Sequence, residues 1–304
     1  MRGFFVVRGG CRDPVGGWSF TVDQGGFSSP CLGVGVTGPG RSATIASIVS
    51  AHQRIIDEAT LTVASIDEVS RDGLLAVLRE FHFARITGLV SPEEVDRSRQ
   101  LMAARFNPDD DRPTTGEHHT EVKDNFQKLS IGRARHGGID RPRFMRCFYL
   151  PMWAEDIFGL REIFRKVARV RNILGNRALD FAVDREEDGM WTASRVHHFP
   201  HGGGFMVAHR DTVLPQVYKD GGLGEFFQPL ILLSQKGEDF QIGGGFVDLR
   251  GERILYEDHA GKGDIVIYDT STDHGVEDID PDRPFRQDSL AGRMSGLVTL
   301  FKCL

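Results

Sequence analysis

Apolar positions recur at two different periods along this chain. In the first half they step by three and four. Ile45, Ile48, Val49, Ile55 and Ile56 mark a helix over residues 42–58, and Leu74, Leu75 and Leu78 mark another that Ser70 can cap and that ends near His82. Ser91-Pro92-Glu93-Glu94 joins a capping serine, a proline at the first helical position and acids facing the unpaired N–H groups, which predicts a helix to about Arg105. Ile157, Leu160, Ile163, Phe164, Val167, Val170 and Leu174 form one stripe, so most of residues 148–178 is expected to be helical. Short strands are expected at residues 61–66, 83–87 and 125–132, the last followed by a glycine- and arginine-rich connection.

Beyond residue 190 the pattern changes to short β-rich runs separated by glycine, proline and acidic turns. They fall at residues 191–198, 204–211, 226–234, 245–249, 253–256, 264–268, 274–277 and 294–301. Strands at this spacing without long helices between them indicate a sandwich or barrel. Gly202-Gly203-Gly204 and Gly243-Gly244-Gly245 read as turns or bulges, since neither has the lysine-serine/threonine ending of a phosphate loop. The expected organisation is one catalytic domain over residues 41–304, with 41–189 mostly helical support and early strands and 190–304 the β core. Residues 1–40 hold 11 glycines and no sustained period, so a disordered arm is expected there.

Composition narrows the partners. The 304 residues can bury a substantial core, and 21 Phe against 4 Tyr and 3 Trp fit a filled interior. A formal charge of −6 with no basic block argues against nucleic acid as a partner. No run of apolar residues is long enough to span a membrane, and Arg8-Gly9-Gly10 interrupts the only stretch resembling a signal peptide. Cys11, Cys31, Cys147 and Cys303 form no paired motif; free thiols and a cytoplasmic location are expected. A small molecule is the expected partner, and the length leaves the oligomeric state open.

The candidate chemistry centres on His209-Arg210-Asp211. Histidine and aspartate two apart on a strand project to one face, so an imidazole nitrogen and a carboxylate oxygen can reach the same ion, while Arg210 points away. His274 lies 63 residues beyond Asp211, just after the apolar run Ile265-Val266-Ile267-Tyr268. Two histidines and one carboxylate with open positions are the donor set of non-haem iron(II) oxygenases. His118 and His119 read as loop residues, because neighbours on a strand face opposite ways.

His209-x-Asp211, Gly263-Asp264-Ile265-Val266-Ile267-Tyr268 ahead of His274, and Arg293-Met294-Ser295 opening a last apolar strand together resemble the iron(II)/2-oxoglutarate-dependent oxygenase superfamily. The resemblance covers residues 190–304 and, loosely, 80–180. It implies a mainly β fold with a helical flank, whose core is a double-stranded β-helix (a cupin-like jelly-roll) supported by N-terminal helices. It further implies that His209, Asp211 and His274 bind Fe(II), with 2-oxoglutarate and O2 as cosubstrates, and that the reaction oxidises a C–H bond of a small molecule, an amino acid or natural-product intermediate, with formation of succinate and CO2. Arg293 would pair with the distal carboxylate of 2-oxoglutarate and Ser295 would hydrogen-bond it; the planar guanidinium suits a carboxylate, and the two share a strand face. Arg293 stands 19 residues after His274, a longer interval than is usual in the family, and Arg286, 12 residues after it, is the alternative anchor. Halogenating members carry a small residue in place of the carboxylate ligand, so Asp211 favours hydroxylation or a related oxidation.

Lys128, Arg195, His197, His201 and Gln228 are candidate substrate-binding residues by position. Two rival readings stay open: a cupin-like metalloenzyme that does not use 2-oxoglutarate, in which Arg293 has no role, and a non-catalytic β-sandwich binding module in which the histidines are structural.

Overall fold

The computed structural model describes residues 51–112, 124–136 and 139–302. The expected arm at 1–40, the start of the first helix and His118-His119 lie outside them. Residues 51–58 are helical and lead into β1 (Thr60–Thr62). Ser70 opens α1 (Arg71–Phe81), its Oγ accepting the Gly73 N–H at 3.2 Å. His82 closes that helix in the left-handed region, at φ 59°, and turns the chain directly into β2 (Phe83–Thr87). α2 (Pro92–Arg105) begins with the reciprocal bonds its sequence promised: the Glu94 N–H donates to Ser91 Oγ and the Ser91 N–H to the Glu94 carboxylate.

Two sequence expectations fail in the middle of the chain. The expected arginine-rich connection is instead a strand, because β3 (Phe126–His136) pairs along its whole length with β4 (Ile139–Tyr149). The following helix is correspondingly shorter, α3 (Arg161–Leu174). β4 is hard to read in sequence because its polar positions are arginines whose partners lie far along the chain. Fully buried Arg146 is the example: its guanidinium bonds the Asp111 carboxylate at 3.0–3.3 Å and the Gln287 carbonyl at 3.0 Å. The stripe expected on α3 is present, with Ile163, Phe164, Val167, Val170 and Leu174 buried against the sheet. A Cβ on Gly296 would sit 2.5 Å from the Phe164 ring, so the missing side chain there is what lets this helix seat.

The eight expected β runs after residue 190 are all strands: β5 (Met190–Pro200), β6 (Gly204–His209), β7 (Gln228–Leu232), β8 (Gly244–Leu249), β9 (Glu252–Leu255), β10 (Ile265–Tyr268), β11 (Asp273–Ile279) and β12 (Gly292–Lys302). The order across the sheet is β1-β2-β10-β7-β12-β5-β4-β6-β11-β8-β9, with β3 on β4. Among the described strands β1 and β2 pair in parallel and the other neighbours are antiparallel, so the sheet is mixed, and α3 packs on β7 and β12. This helix-flanked mixed β core is consistent with a double-stranded β-helix. A short helix that the sequence reading did not foresee, α4 (Val213–Asp220), follows β6. Among the described residues no helix is long and apolar enough to cross a membrane, and Cys147 is buried.

β5 also carries a buried histidine that makes stability depend on pH. His198 is 0% exposed and its Nε2–H donates to the Ala291 carbonyl at 3.2 Å, while burial pushes its pKa down to about 3. In the unfolded chain the same imidazole titrates near about 6.5. Below that pH the unfolded state takes up a proton that the folded state refuses, so the His198 contribution is complete above it and is lost as pH falls toward the folded value. The expected loss is about 2 kcal/mol between roughly pH 6.5 and pH 5. Denaturant titration at the two pH values measures it. His198→Gln should fall less steeply than wild type, and parallel behaviour would refute the assignment.

Candidate metal centre and its cavity

β6 and β11 are antiparallel neighbours in which His209 and His274 are direct partners. Cross-strand partners hold their Cβ atoms close, and here the two imidazole centroids are 4.5 Å apart. The ladder shifts register just beyond His274, so the pair sits where regular pairing breaks. The expectation that Asp211 shares a strand with His209 needs correcting. β6 ends at His209, and Asp211 lies in the link that enters α4. Its carboxylate reaches the same point all the same, with Oδ2 3.8 Å from His274 Nε2. One donor atom from each of His209, Asp211 and His274 lies within 4.8 Å of the other two, close enough to share one ion.

The protonation pattern suits a metal. His209 Nδ1 is 2.9 Å from the Val207 carbonyl and His274 Nδ1 is 3.1 Å from the Thr272 carbonyl. A carbonyl only accepts, so both Nδ1 atoms carry a hydrogen, and Nε2 is the ring atom each histidine can turn to an ion. Burial, together with the neighbouring His274, holds the His209 pKa down at about 4, which keeps the imidazole neutral as ligation requires. Tyr268 stacks on the His274 ring with centroids 4.5 Å apart and fixes its plane. Arg210 points away as expected and pairs with Asp273 at 2.8 Å.

One cavity joins this cluster to Arg293 and Ser295 on β12. Arg293 is 1% exposed and is held from several sides. Nε and Nη2 lie 2.7 Å and 2.5 Å from Glu257 Oε1, Nη2 is 3.2 Å from the Tyr256 hydroxyl, and Nη1 donates to Ser295 Oγ at 3.1 Å. Burial alone would lower its pKa, but the Glu257 carboxylate outweighs that and holds it above the ordinary arginine value. Burial pushes the Tyr256 phenol up to about 12. Gly245 makes this arrangement fit: a Cβ there would collide with the Tyr256 ring and hydroxyl and lie 2.9 Å from Arg293 Nη2.

The other sequence candidates divide. Arg195, His197 and Gln228 line the cavity. Gln228 is committed within the core, its Oε1 accepting from the Thr299 hydroxyl at 2.7 Å and its Nε2 donating to the Pro229 carbonyl. Lys128 and His201 do not line it. Lys128 lies on β3, paired with Cys147, and His201 Nε2 reaches the Asp239 carbonyl at 2.9 Å and Asp280 at 3.2 Å. Arg286 is also elsewhere: its exposed side chain pairs with exposed Asp288 at 3.0 Å, two residues along the same loop. The sequence reading missed Arg141 and Arg143 on β4 and Val213 and Leu214 on α4, all of which line the cavity. Only the recognition of β4 as a strand could have pointed to the two arginines.

No protein-family model and no curated protein matches the chain. Its structure resembles those of iron(II)/2-oxoglutarate-dependent oxygenases. One is a prolyl-4-hydroxylase from Pseudomonas putida, 12% identical over 77% of this chain and 99% of that one, with a TM-score of 0.45. Another is an oxidoreductase of the 2OG-Fe(II) oxygenase family from Burkholderia pseudomallei, 14% identical over 79% and 94% of the chains, with a TM-score of 0.42. A third is EctD from S. alaskensis with 2-oxoglutarate and 5-hydroxyectoine, 12% identical over 78% of each chain, with a TM-score of 0.43. At such identities and scores, what this site can do rests on its own residues.

Proposed function

We propose that the protein is an iron(II)- and 2-oxoglutarate-dependent dioxygenase, built on a double-stranded β-helix, that oxidises a C–H bond of a small molecule. The observation that carries this reading is a single cavity holding, at one place, two imidazoles and a carboxylate and, at another, a buried arginine with a serine hydroxyl beside it. His209, His274 and Asp211 would hold the ion. When bound, iron(II) with 2-oxoglutarate supplies oxidation by O2 coupled to decarboxylation of the cosubstrate to succinate.

The chain's own groups set up that chemistry. The carbonyls of Val207 and Thr272 fix both histidine tautomers, and Tyr268 fixes one ring plane. Glu257 holds the Nε edge of Arg293 from outside the cavity lining, and the Nη1 edge with Ser295 is the one offered to the distal carboxylate of 2-oxoglutarate. Val213, Leu214, Met206 and Phe199 give the cavity apolar walls that limit water at the reacting position.

Anaerobic titration with iron(II) and then 2-oxoglutarate tests the reading. A weak visible charge-transfer band should appear only when both are present, and admission of O2 should then yield succinate. Iron binding without any band on adding 2-oxoglutarate would favour a metalloenzyme that does not use it. No iron binding at all would favour a binding module.

A further inference from the structure

The charge lining the cavity exceeds what the proposed metal and cosubstrate would use. Arg141, Arg195 and Arg293 line it, and among the described residues Asp211 is the one carboxylate that does. A divalent ion and doubly charged 2-oxoglutarate cancel each other. Glu257 offsets Arg293, and Asp211 offsets one more cation while committed to the ion. Positive charge is left over, and it has a location.

Arg195 is the clearest part of it. Its Nε–H donates to His197 Nε2 at 3.2 Å and its guanidinium lies 5.8 Å from the Phe301 ring, but among the described residues it makes no ion pair, whereas Arg141 and Arg293 each have one. On the paired strands β12 and β5, Arg293 is opposite Phe199, Ser295 opposite His197 and Leu297 opposite Arg195, and all six line the cavity. Arg195 and Arg293 are therefore four residue positions apart along this ladder, about 13 Å of strand. A five-carbon diacid anchored at Arg293 and turned toward the ion does not span that distance. Arg141, on β4, is held by donating from Nη2 to the Arg210 carbonyl at 2.8 Å, with Nη1 3.7 Å from Asp211 Oδ1. It stands beside the candidate metal ligand on the cavity wall.

We infer that the substrate carries an oxyanion, a carboxylate or a phosphate, on an apolar body, and that Arg195 recognises that group. A guanidinium presents paired N–H donors to an oxyanion, and one partly withdrawn from water without a counter-charge gains most when such a ligand arrives. Met206, Val213, Leu214, Val276 and Leu297 supply the apolar surface for the rest of the molecule. This inference rests on the proposed function, since it concerns the substrate of that site.

Anaerobic calorimetry on the full chain loaded with iron(II) and saturating 2-oxoglutarate tests it, with the visible band followed in parallel. The probes are benzoate, phenyl phosphate, benzyl alcohol and benzylamine, which share a ring and differ in charge. Benzoate or phenyl phosphate should bind at least about tenfold more tightly than the alcohol and the amine, and whichever anion binds better identifies the oxyanion. Arg195→Gln should lose that preference with the band intact, and Arg195→Lys should keep part of it. The inference is overturned if the band forms and all four probes bind alike, or if Arg195→Gln still prefers the anions. It is equally overturned if the anions erase the band, which would put them at Arg293. A missing band in wild type is a different failure, that of the oxygenase reading, and takes this inference with it.

Discussion

Replacing Arg293 with alanine is expected to raise the 2-oxoglutarate concentration needed for the visible band by at least about 100-fold, while iron(II) alone still binds. Loss of a buried charge-assisted pair with a ligand carboxylate costs roughly 2–5 kcal/mol, which sets that scale. The substitution has a second consequence. Arg293 is the partner of Glu257, itself only 3% exposed, and a buried carboxylate left unpaired costs about 3–5 kcal/mol of stability. A single variant therefore mixes lost binding with lost folding. Arg293→Ala combined with Glu257→Gln separates them: melting temperature should recover much of its loss, and cosubstrate binding should not. Recovery of 2-oxoglutarate binding in the double variant would show that Arg293 acts only on the fold. Gly245→Ala provides a milder version, because its Cβ would drive Tyr256 from the Arg293 side of the cavity without removing a charge.

Asp211→Ala and His274→Ala should each abolish the band and lower iron(II) affinity by more than the roughly 10–100-fold that loss of an outer partner of a ligand costs. Removing one of three donors leaves that position of the ion to water, whereas each remaining histidine keeps its backbone anchor. The histidine partners Val207 and Thr272 are main-chain carbonyls, so neither substitution strips a side chain they depend on. Thermal shift checks the point directly. Iron(II) should raise the melting temperature of wild type and leave both variants where they are, because an ion stabilises only the state that binds it. A wild-type-sized shift in Asp211→Ala would mean the ion sits elsewhere.

Much of this site was legible before any fold was known. His209-x-Asp211 and the distal His274 were readable because each depends on local features: a short spacing, and a histidine following an apolar strand. The eight late strands were equally readable, since glycine and acidic turns bracket them. α2 was plain for the same reason, its capping serine, proline and acids being contiguous. The failures share an opposite cause. β4 looked like a connection because Arg141, Arg143 and Arg146 have no local explanation; their positions make sense only once Asp111, Gln287 and the cavity are brought to them. The choice between Arg286 and Arg293 was open on interval alone, and burial separates them in space: one arginine is at the surface beside Asp288, the other in the cavity wall.

By itself, then, the sequence determined which residue types could meet around an ion and which stretches would be strand, because strand period and turn residues act over a few positions. Only the tertiary structure decided the pairing of His209 with His274, the bend that carries Asp211 off its strand to join them, and the row of arginines across the cavity. Those depend on cross-strand register between segments tens of residues apart, and no local pattern of side chains encodes that register.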